Sequence, residues 1–162
     1  MSSIAQHDSS AAGRGFTLRH FTLILLIAGL IITGYLSYTH LTETSVVCVE
    51  SGAFNCDTVN SSIYSQFMGI PIAYLGFLAD LFMFLVVLLE PRIALLENYS
   101  VMIVFGISLL GFIYHGYLTY VSVTRINALC IWCLSAHVVM TLVLIVTGIR
   151  LYRQLFPGED AT

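Results

Sequence analysis

The sequence predicts an all-α integral membrane protein, a bundle of four transmembrane helices. Of its 162 residues, 58% are hydrophobic and only 9% are charged, whereas a soluble domain carries roughly a quarter charged residues. A chain this short cannot bury so much apolar surface in a water-facing core. Four apolar stretches also approach the roughly 20 residues that a helix needs to cross about 30 Å of hydrocarbon: residues 21–38, 71–89, 101–123 and 131–151.

The arginines orient this bundle, because basic residues are retained in the cytoplasm during insertion. All six basic residues are arginines. With both termini cytoplasmic, only Arg125 lies outside, and the other five lie on the cytoplasmic side: Arg14, Arg19, Arg92, Arg150 and Arg153. The polar loop between the first two helices is therefore predicted to be exoplasmic.

The membrane domain is expected to span residues 20–152. Residues 1–19 are rich in Ser, Ala and Gly and are expected to form a disordered cytoplasmic tail. No small-residue cleavage site follows the first apolar stretch, so this helix is predicted to be retained. Residues 153–162 are expected to be a cytoplasmic C-terminal tail, since Pro157 and Gly158 end the last helix. A net charge of −3 without a basic cluster argues against a nucleic-acid partner.

The four cysteines all fall on the exoplasmic side of this topology. Cys48 and Cys56 lie in the long loop, and Cys130 and Cys133 form a CxxC motif where the fourth helix begins. At a helix N-terminus the macrodipole favours the thiolate and can lower the thiol pKa below its free value of about 8.5. Since such a thiolate attacks and leaves readily, we interpret the cysteines as a thiol-disulfide relay.

Other interpretations of the cysteines stay open at this point. Loops that face an oxidising compartment are often stapled by structural disulfides, which fits a non-catalytic membrane scaffold or assembly factor. A four-cysteine zinc site is a further alternative, but structural zinc ligands usually come in two closely spaced pairs. The seven residues between Cys48 and Cys56 suit a loop disulfide better than a zinc ligand pair.

A membrane quinone is the expected electron acceptor, because a cysteine pair at a helix mouth lies beside the lipid pool in which quinones dissolve. Cys130, Cys133 and His137 are spaced i, i+3 and i+7, so they share one stripe of the fourth helix. A quinone head group could contact Cys133 and His137, and the imidazole could hydrogen-bond a quinone carbonyl. The alternative is that His137 only bonds a neighbouring helix.

Other polar side chains lie within the apolar stretches. A lone carboxylate in the membrane costs at least about 2.5 kcal/mol on insertion scales, and the depths of Asp80 and His115 match, so we expect these two to pair. Trp132 is expected to be an interfacial anchor. Three tyrosines near the exoplasmic end of the third helix are expected to form an interfacial belt: Tyr114, Tyr117 and Tyr120. The alternative is that one of them lines the quinone pocket. Residues 61–67 are expected to form a short interfacial helix that covers the pocket.

These features together resemble the vitamin K epoxide reductase family, in particular its bacterial members. The specific marks are the loop cysteine pair before the CxxC pair, the serine soon after Cys56, and the sequence GIPIAYLG where the second helix begins. The resemblance covers about residues 20–152. It implies that Cys130 and Cys133 are the active-site disulfide, with Cys133 nearer the quinone. It also implies that Cys48 and Cys56 shuttle electrons from a thioredoxin-like protein, with Cys56 reducing Cys130.

The resemblance also carries expectations for the quinone pocket. Ser62 matches a family serine near the quinone and the active-site disulfide, although the adjacent Ser61 leaves the register open. His137 falls where the vertebrate enzymes carry a tyrosine that binds the quinone carbonyl. The family therefore implies a quinone, ubiquinone or menaquinone, as acceptor, and no metal.

The resemblance also implies a redox partner and a location in the cell. Many bacterial relatives carry a fused thioredoxin-like domain, whereas this chain ends soon after the fourth helix. A thioredoxin-fold, DsbA-like dithiol carrier is therefore expected to act in trans. We expect a multi-pass protein of the bacterial inner membrane, in contact with lipid and the quinone pool, whose active site on the exoplasmic face supports disulfide bond formation.

Overall fold

The computed structural model of the protein describes residues 3–48 and 54–156. Its α-helices in these ranges are α1 (Ser3–Leu41), α2 (Cys56–Asn60), α3 (Ile72–Leu89), α4 (Ala94–Val121) and α5 (Ile131–Leu155). Four segments of the described chain are long and apolar enough to cross a membrane: Leu18–Leu41, Ile72–Arg92, Tyr99–Ile126 and Ile131–Leu155. The predicted bundle of four transmembrane helices is confirmed, and the protein is a multi-pass membrane protein.

The bundle is held by an apolar core between the long helices. α1 packs against α3 and α5, and α4 packs against α5 and α3. The fully buried members of the core come from all four helices: Leu26, Met83, Val87, Val104 and Val143. The outward faces carry exposed apolar side chains such as Ile31 and Leu110, which a lipid-facing surface accepts because hydrocarbon is as apolar as they are.

The first helix is longer than its apolar stretch. Sequence analysis predicts a disordered tail over residues 1–19, whereas in the structure α1 already begins at Ser3. No proline interrupts this part of the chain, so each residue keeps the backbone N–H that a helix needs. The membrane-spanning part begins at Leu18. At the other end α5 continues to Leu155, and the predicted tail after Phe156 lies outside the described residues.

The described loop residues between α1 and α3 form a small cap on one end of the bundle. The short α-helix in this cap is α2, which begins where Asn55 Oδ1 accepts a hydrogen bond from Thr58 N at 3.0 Å. The predicted helix over 61–67 is wrong, since this segment is a 3₁₀ turn (Ile63–Ser65) followed by strand β1 (Gln66–Phe67). The physical reason is that serine hydroxyls here bond backbone carbonyls and so compete with a continuing α-helix.

A tight hairpin completes the cap. β1 pairs antiparallel with β2 (Ile70–Pro71), so that Phe67 lies opposite Ile70. Met68 and Gly69 form the two-residue turn, with φ values of 52° and 83°, as the turns that match strand twist require. Pro71 then leads directly into α3. The hairpin thus carries the chain from the cap back into the bundle.

Asp80 links α3 to α1 and does not reach α4. Its carboxylate accepts a hydrogen bond from Thr33 Oγ1 at 3.1 Å, and only 4% of its surface is exposed. Gly29 makes room for it, because a Cβ there would lie 3.1 Å from Asp80 Oδ2. The predicted pair with His115 is wrong: equal depth does not make two side chains face each other, and the His115 ring lies beside His137 of α5.

Candidate active site

All four cysteines meet at the end of the bundle where α1 ends and α5 begins. Cys56 and Cys130 are each about 1% exposed, and both are core members of one apolar cluster. Cys48 and Cys133 are half-buried and pack against the same cluster. Cys48 and Cys56 form a disulfide, whereas Cys130 and Cys133 are free thiols. One buried cluster therefore holds an oxidised pair beside a reduced pair.

Cys130 caps the N-terminus of α5. Its backbone is extended, and its Sγ accepts a hydrogen bond from the backbone N–H of Cys133 at 3.3 Å. A side-chain acceptor at this position satisfies an amide that has no partner within the helix. The two cysteines of the CxxC motif are three residues apart, which is also the separation between an N-cap side chain and the N–H group that it binds.

The pKa of Cys130 is lowered from the ordinary thiol value. The largest cause is a hydrogen bond from the Cys133 side chain, and the backbone N–H groups of Cys133 and Trp132 act in the same direction. Burial of the sulfur opposes them. The lowered pKa that the motif predicts is therefore found at Cys130, and hydrogen bonding to the thiolate is its main source.

A backbone contact brings the loop cysteine pair to the CxxC motif. A π-helical turn (Ser122–Ile126) follows α4, and Asn127 with φ of 53° turns the chain back. Leu129 then pairs with Phe54 in an isolated parallel bridge, and its carbonyl accepts a hydrogen bond from Asn55 N at 3.0 Å. Cys130 directly follows Leu129, and Cys56 lies two residues after Phe54. Sequence reasoning missed this contact, because a single bridge has no periodicity.

Trp132 holds the chain just before Cys48. Its indole Nε1 donates to the carbonyl of Val47 at 2.8 Å, and the Val47 N–H donates to the hydroxyl of Tyr35 at 2.9 Å. The rings of Tyr35 and Trp132 lie 4.8 Å apart. The anchor role stays a prediction, and the structure adds a contact within the protein, in which the residue between Cys130 and Cys133 binds the loop.

Asp57 supports the same segment from the other side. Its carboxylate accepts a hydrogen bond from the Val46 N–H at 2.7 Å. Because Asp57 follows Cys56 directly, this bond ties the helix that carries Cys56 to the segment that carries Cys48. Together with the disulfide, it fixes both arms of the loop.

A cavity of about 100 Å³ adjoins the CxxC motif. Most of its lining is apolar, and the lining includes both Cys130 and Cys133. Other polar side chains of the lining come from α1, the cap, α4 and the residue after α4: Thr33, Asn60, Ser62, Tyr64, Ser65, His115, Thr119 and Ser122. An apolar cavity with a few convergent polar groups is the usual form of a small-molecule site.

The structure resolves which of the two serines faces this cavity. Ser62 lines it, and its hydroxyl donates to the carbonyl of Val59 at 2.8 Å. The Ser61 hydroxyl instead donates to the carbonyl of Asp57 at 2.7 Å, on the exposed side of α2. Of the two serines, Ser62 is therefore the one at the cavity, and its role toward a quinone stays a prediction.

His115 lines the cavity, whereas His137 is not among the lining side chains. The His137 ring lies behind it, with its centroid 5.9 Å from that of His115 and 5.3 Å from that of Phe112. Sequence analysis places His137 on the stripe of the cysteines, but on α5 the cavity is lined by Ala136 and not by its neighbour His137. Sequence reasoning missed His115 as a lining residue, because helical periodicity does not show which residues of α4 face α5.

The cysteines do not form the zinc site that their number left open, since two of them are joined in a disulfide. Over residues 3–48 and 54–156, no three His, Cys, Asp or Glu side chains are grouped closely enough to hold a metal ion. The reactive groups at the site are two thiols, a disulfide and an imidazole of the cavity lining.

A family model described as "Vitamin K epoxide reductase family" matches residues 20–148. This range covers most of the chain and nearly all of the four membrane segments, and it contains all four cysteines. The resemblance drawn from the order of the cysteine pairs is thus confirmed over residues 20–148.

Proposed function

The chain belongs to the vitamin K epoxide reductase family, and we propose on this basis that it oxidises a thioredoxin-fold dithiol carrier at the expense of a membrane quinone. Family membership implies a membrane thiol-disulfide oxidoreductase. The observation that carries the finer proposal is the single buried cluster that joins both cysteine pairs beside an apolar cavity. Carrier, loop pair, CxxC pair and quinone then form one electron path.

The path begins at Cys48. A thiolate of the reduced carrier attacks the Cys48 sulfur, and Cys56 leaves as a thiolate. The second carrier thiolate then attacks the carrier sulfur of this mixed disulfide and releases Cys48. The carrier leaves oxidised, and the loop pair holds two electrons as thiols. Cys48 is the accessible member, because it is half-buried while Cys56 is about 1% exposed.

Internal transfer follows within the buried cluster. The Cys56 thiolate attacks Cys130 of an oxidised CxxC pair, and Cys133 leaves as a thiolate. Cys48 then attacks Cys56 and displaces Cys130, whose lowered pKa makes it a good leaving group. The products are a loop disulfide and two CxxC thiols, the same bonds that the cluster contains. This agreement supports the proposed order of transfer.

The last step returns the CxxC pair to its disulfide. Cys130 and Cys133 lose two protons and two electrons as their sulfurs bond, and a quinone accepts both to become a quinol. The apolar lining supports a site for a planar ring, and polar groups of the lining such as Asn60 and Ser62 are available as partners for ring oxygens. The acceptor is ubiquinone or menaquinone of the bacterial inner membrane, with the cysteines on the exoplasmic face.

Quinone reduction by the purified protein tests this function. With a reduced carrier and either quinone, Cys133→Ala is expected to abolish turnover, because the disulfide that gives electrons to quinone cannot form. Cys48→Ala is expected to block turnover with the carrier while electron flow from a small dithiol continues. Ser135→Ala is the matched control, because its hydroxyl bonds only the carbonyl of Ile131 in its own helix.

Normal turnover by the Cys133→Ala protein would contradict the proposal. So would a folded wild-type protein that reduces neither quinone and keeps its loop disulfide in mild reductant. In that case the disulfide is a staple, and the cysteine variants lose stability instead of activity.

A further inference from the structure

His115 is the imidazole that the cavity presents to a ligand. It lies on α4 and shares the lining with Cys133 of α5 and Ser62 of the cap. The hydroxyl of Ser62 already donates to the carbonyl of Val59, and an amide such as Asn60 does not exchange protons near neutral pH. Imidazole is the side chain that both gives and takes a proton in that range.

His137 stands behind His115 and is held by Thr119. The Thr119 hydroxyl donates to the backbone carbonyl of His115 at 2.8 Å, and the same oxygen lies 3.4 Å from Nδ1 of His137. Because the hydroxyl proton is already used, the Nδ1–H of His137 is the donor in the second contact. Its Nε2 is then the acceptor nitrogen, and the two rings lie 5.9 Å apart. The His137 ring thus lies beside the cavity imidazole, and Thr119 contacts both the backbone of His115 and the ring of His137.

We propose that His115 is a catalytic residue of quinone reduction, the group that protonates the quinone oxygen, and that His137 positions it. This inference rests on the proposed function. The CxxC thiols supply two electrons and two protons as the disulfide forms. His115 gives one proton to the quinone oxygen nearest it and is reprotonated by a proton released from the cysteine pair. The second released proton goes to the other oxygen, so the products are a disulfide and a quinol.

Two substitutions at His115 separate proton transfer from binding. His115→Gln keeps a hydrogen-bond donor, so we expect the KM for ubiquinone to change little while kcat falls about 100-fold, the usual size of a general-acid contribution. His115→Gly opens space at the same point, and added imidazole is expected to restore part of its kcat. The matched variant His137→Gln is expected to lower kcat less, about tenfold or under, without rescue by imidazole.

The first half-reaction shows that the variants are folded. Reduction of the loop disulfide by the carrier does not involve the cavity, so its rate is expected to equal that of the wild type in all three variants. Wild-type turnover with unchanged kcat in His115→Gln would overturn the role of His115 and leave the proposed function standing. A kcat that falls in His115→Gly but does not respond to imidazole, together with a normal kcat in His115→Gln, would assign the residue to packing alone. Wild-type protein without quinone turnover would overturn both proposals.

Discussion

Among single residues, Cys130 combines a structural and a chemical task. Serine or asparagine usually caps a helix because its oxygen accepts an N–H of the first turn, and here a sulfur does so. A thiolate accepts such bonds more strongly than a thiol, so the cap stabilises the charged form. The same hydrogen bonds that begin α5 therefore prepare its N-cap residue for thiol-disulfide exchange.

The pH dependence of Cys130 follows from these bonds. Its pKa is lowered chiefly by the Cys133 side chain, so its thiolate persists to lower pH than an ordinary cysteine and is lost only below the lowered pKa. Removing this donor in Cys133→Ala is expected to move the midpoint up by about one pH unit. The measurement is the pH profile of alkylation at Cys130, read by mass spectrometry with the loop disulfide intact.

Ser135→Ala is again the control for this titration, because it lies on the same helix and bonds only within it. Its midpoint is expected to match the wild type. An unchanged midpoint in Cys133→Ala would mean that the backbone N–H groups alone set the pKa.

Among the secondary-structure elements, the contacts that matter for transfer join chain segments distant in sequence. The bridge between Phe54 and Leu129 aligns the loop with the start of α5, and the Trp132 indole donates a hydrogen bond to the residue before Cys48. Together with the Cys48–Cys56 disulfide, these contacts order the loop beside α5. The loop and α5 therefore act as one unit.

Loss of the Trp132 hydrogen bond is expected to slow only the transfer that uses the loop. Trp132→Phe removes the donor to the Val47 carbonyl and keeps an aromatic ring beside Tyr35. A hydrogen bond of about 0.5–1.5 kcal/mol corresponds to a fall of at most about tenfold. Turnover driven by the carrier should fall by this amount, while turnover driven by a small dithiol that reduces the CxxC pair directly should not.

The control is Tyr38→Phe, which removes a polar atom from a ring that is 62% exposed. Both kinds of turnover are expected to stay at the wild-type rate in it. If Trp132→Phe lowered the two rates equally, the indole would act on the CxxC motif itself and not on the loop.

At the scale of the whole molecule, the two ends of the bundle differ in chemistry. One end holds the sulfurs and the cavity. The other end holds the ion pair of Arg150 Nη2 with Glu90 Oε1 at 2.6 Å, which ties α5 to the turn after α3. Three arginines lie at this ion-pair end, Arg92, Arg150 and Arg153, and two more, Arg14 and Arg19, lie at the start of the first membrane segment or before it. The arginine distribution therefore predicts that the ion-pair end is cytoplasmic.

Reporter fusions test this orientation. Green fluorescent protein joined to the C-terminus is expected to fluoresce, and alkaline phosphatase joined there is expected to be inactive, because the phosphatase needs the oxidising side to form its disulfides. Alkaline phosphatase joined after Leu41, where α1 ends, is expected to be active. The reverse pattern would place the cysteines on the cytoplasmic side and contradict the proposed path from an exoplasmic carrier.

Several features were determined by the sequence alone. The four membrane segments follow from composition, since the thickness of hydrocarbon fixes the length of an apolar helix. The common end of the four cysteines follows from counting the segments between them. The lowered pKa of Cys130 follows from local geometry, because a CxxC motif at a helix start supplies its own donors. Each of these depends on length or on neighbours along the chain.

Other features were decided only by the tertiary structure. Asp80 bonds Thr33 and not His115, Trp132 binds the loop instead of serving only as an interfacial anchor, and His115 lines the cavity in front of His137. In each case the question is which way a helix is rotated toward its neighbours. In a bundle that is apolar on all sides, periodicity does not distinguish a lipid face from a helix face, so close packing between helices makes that choice.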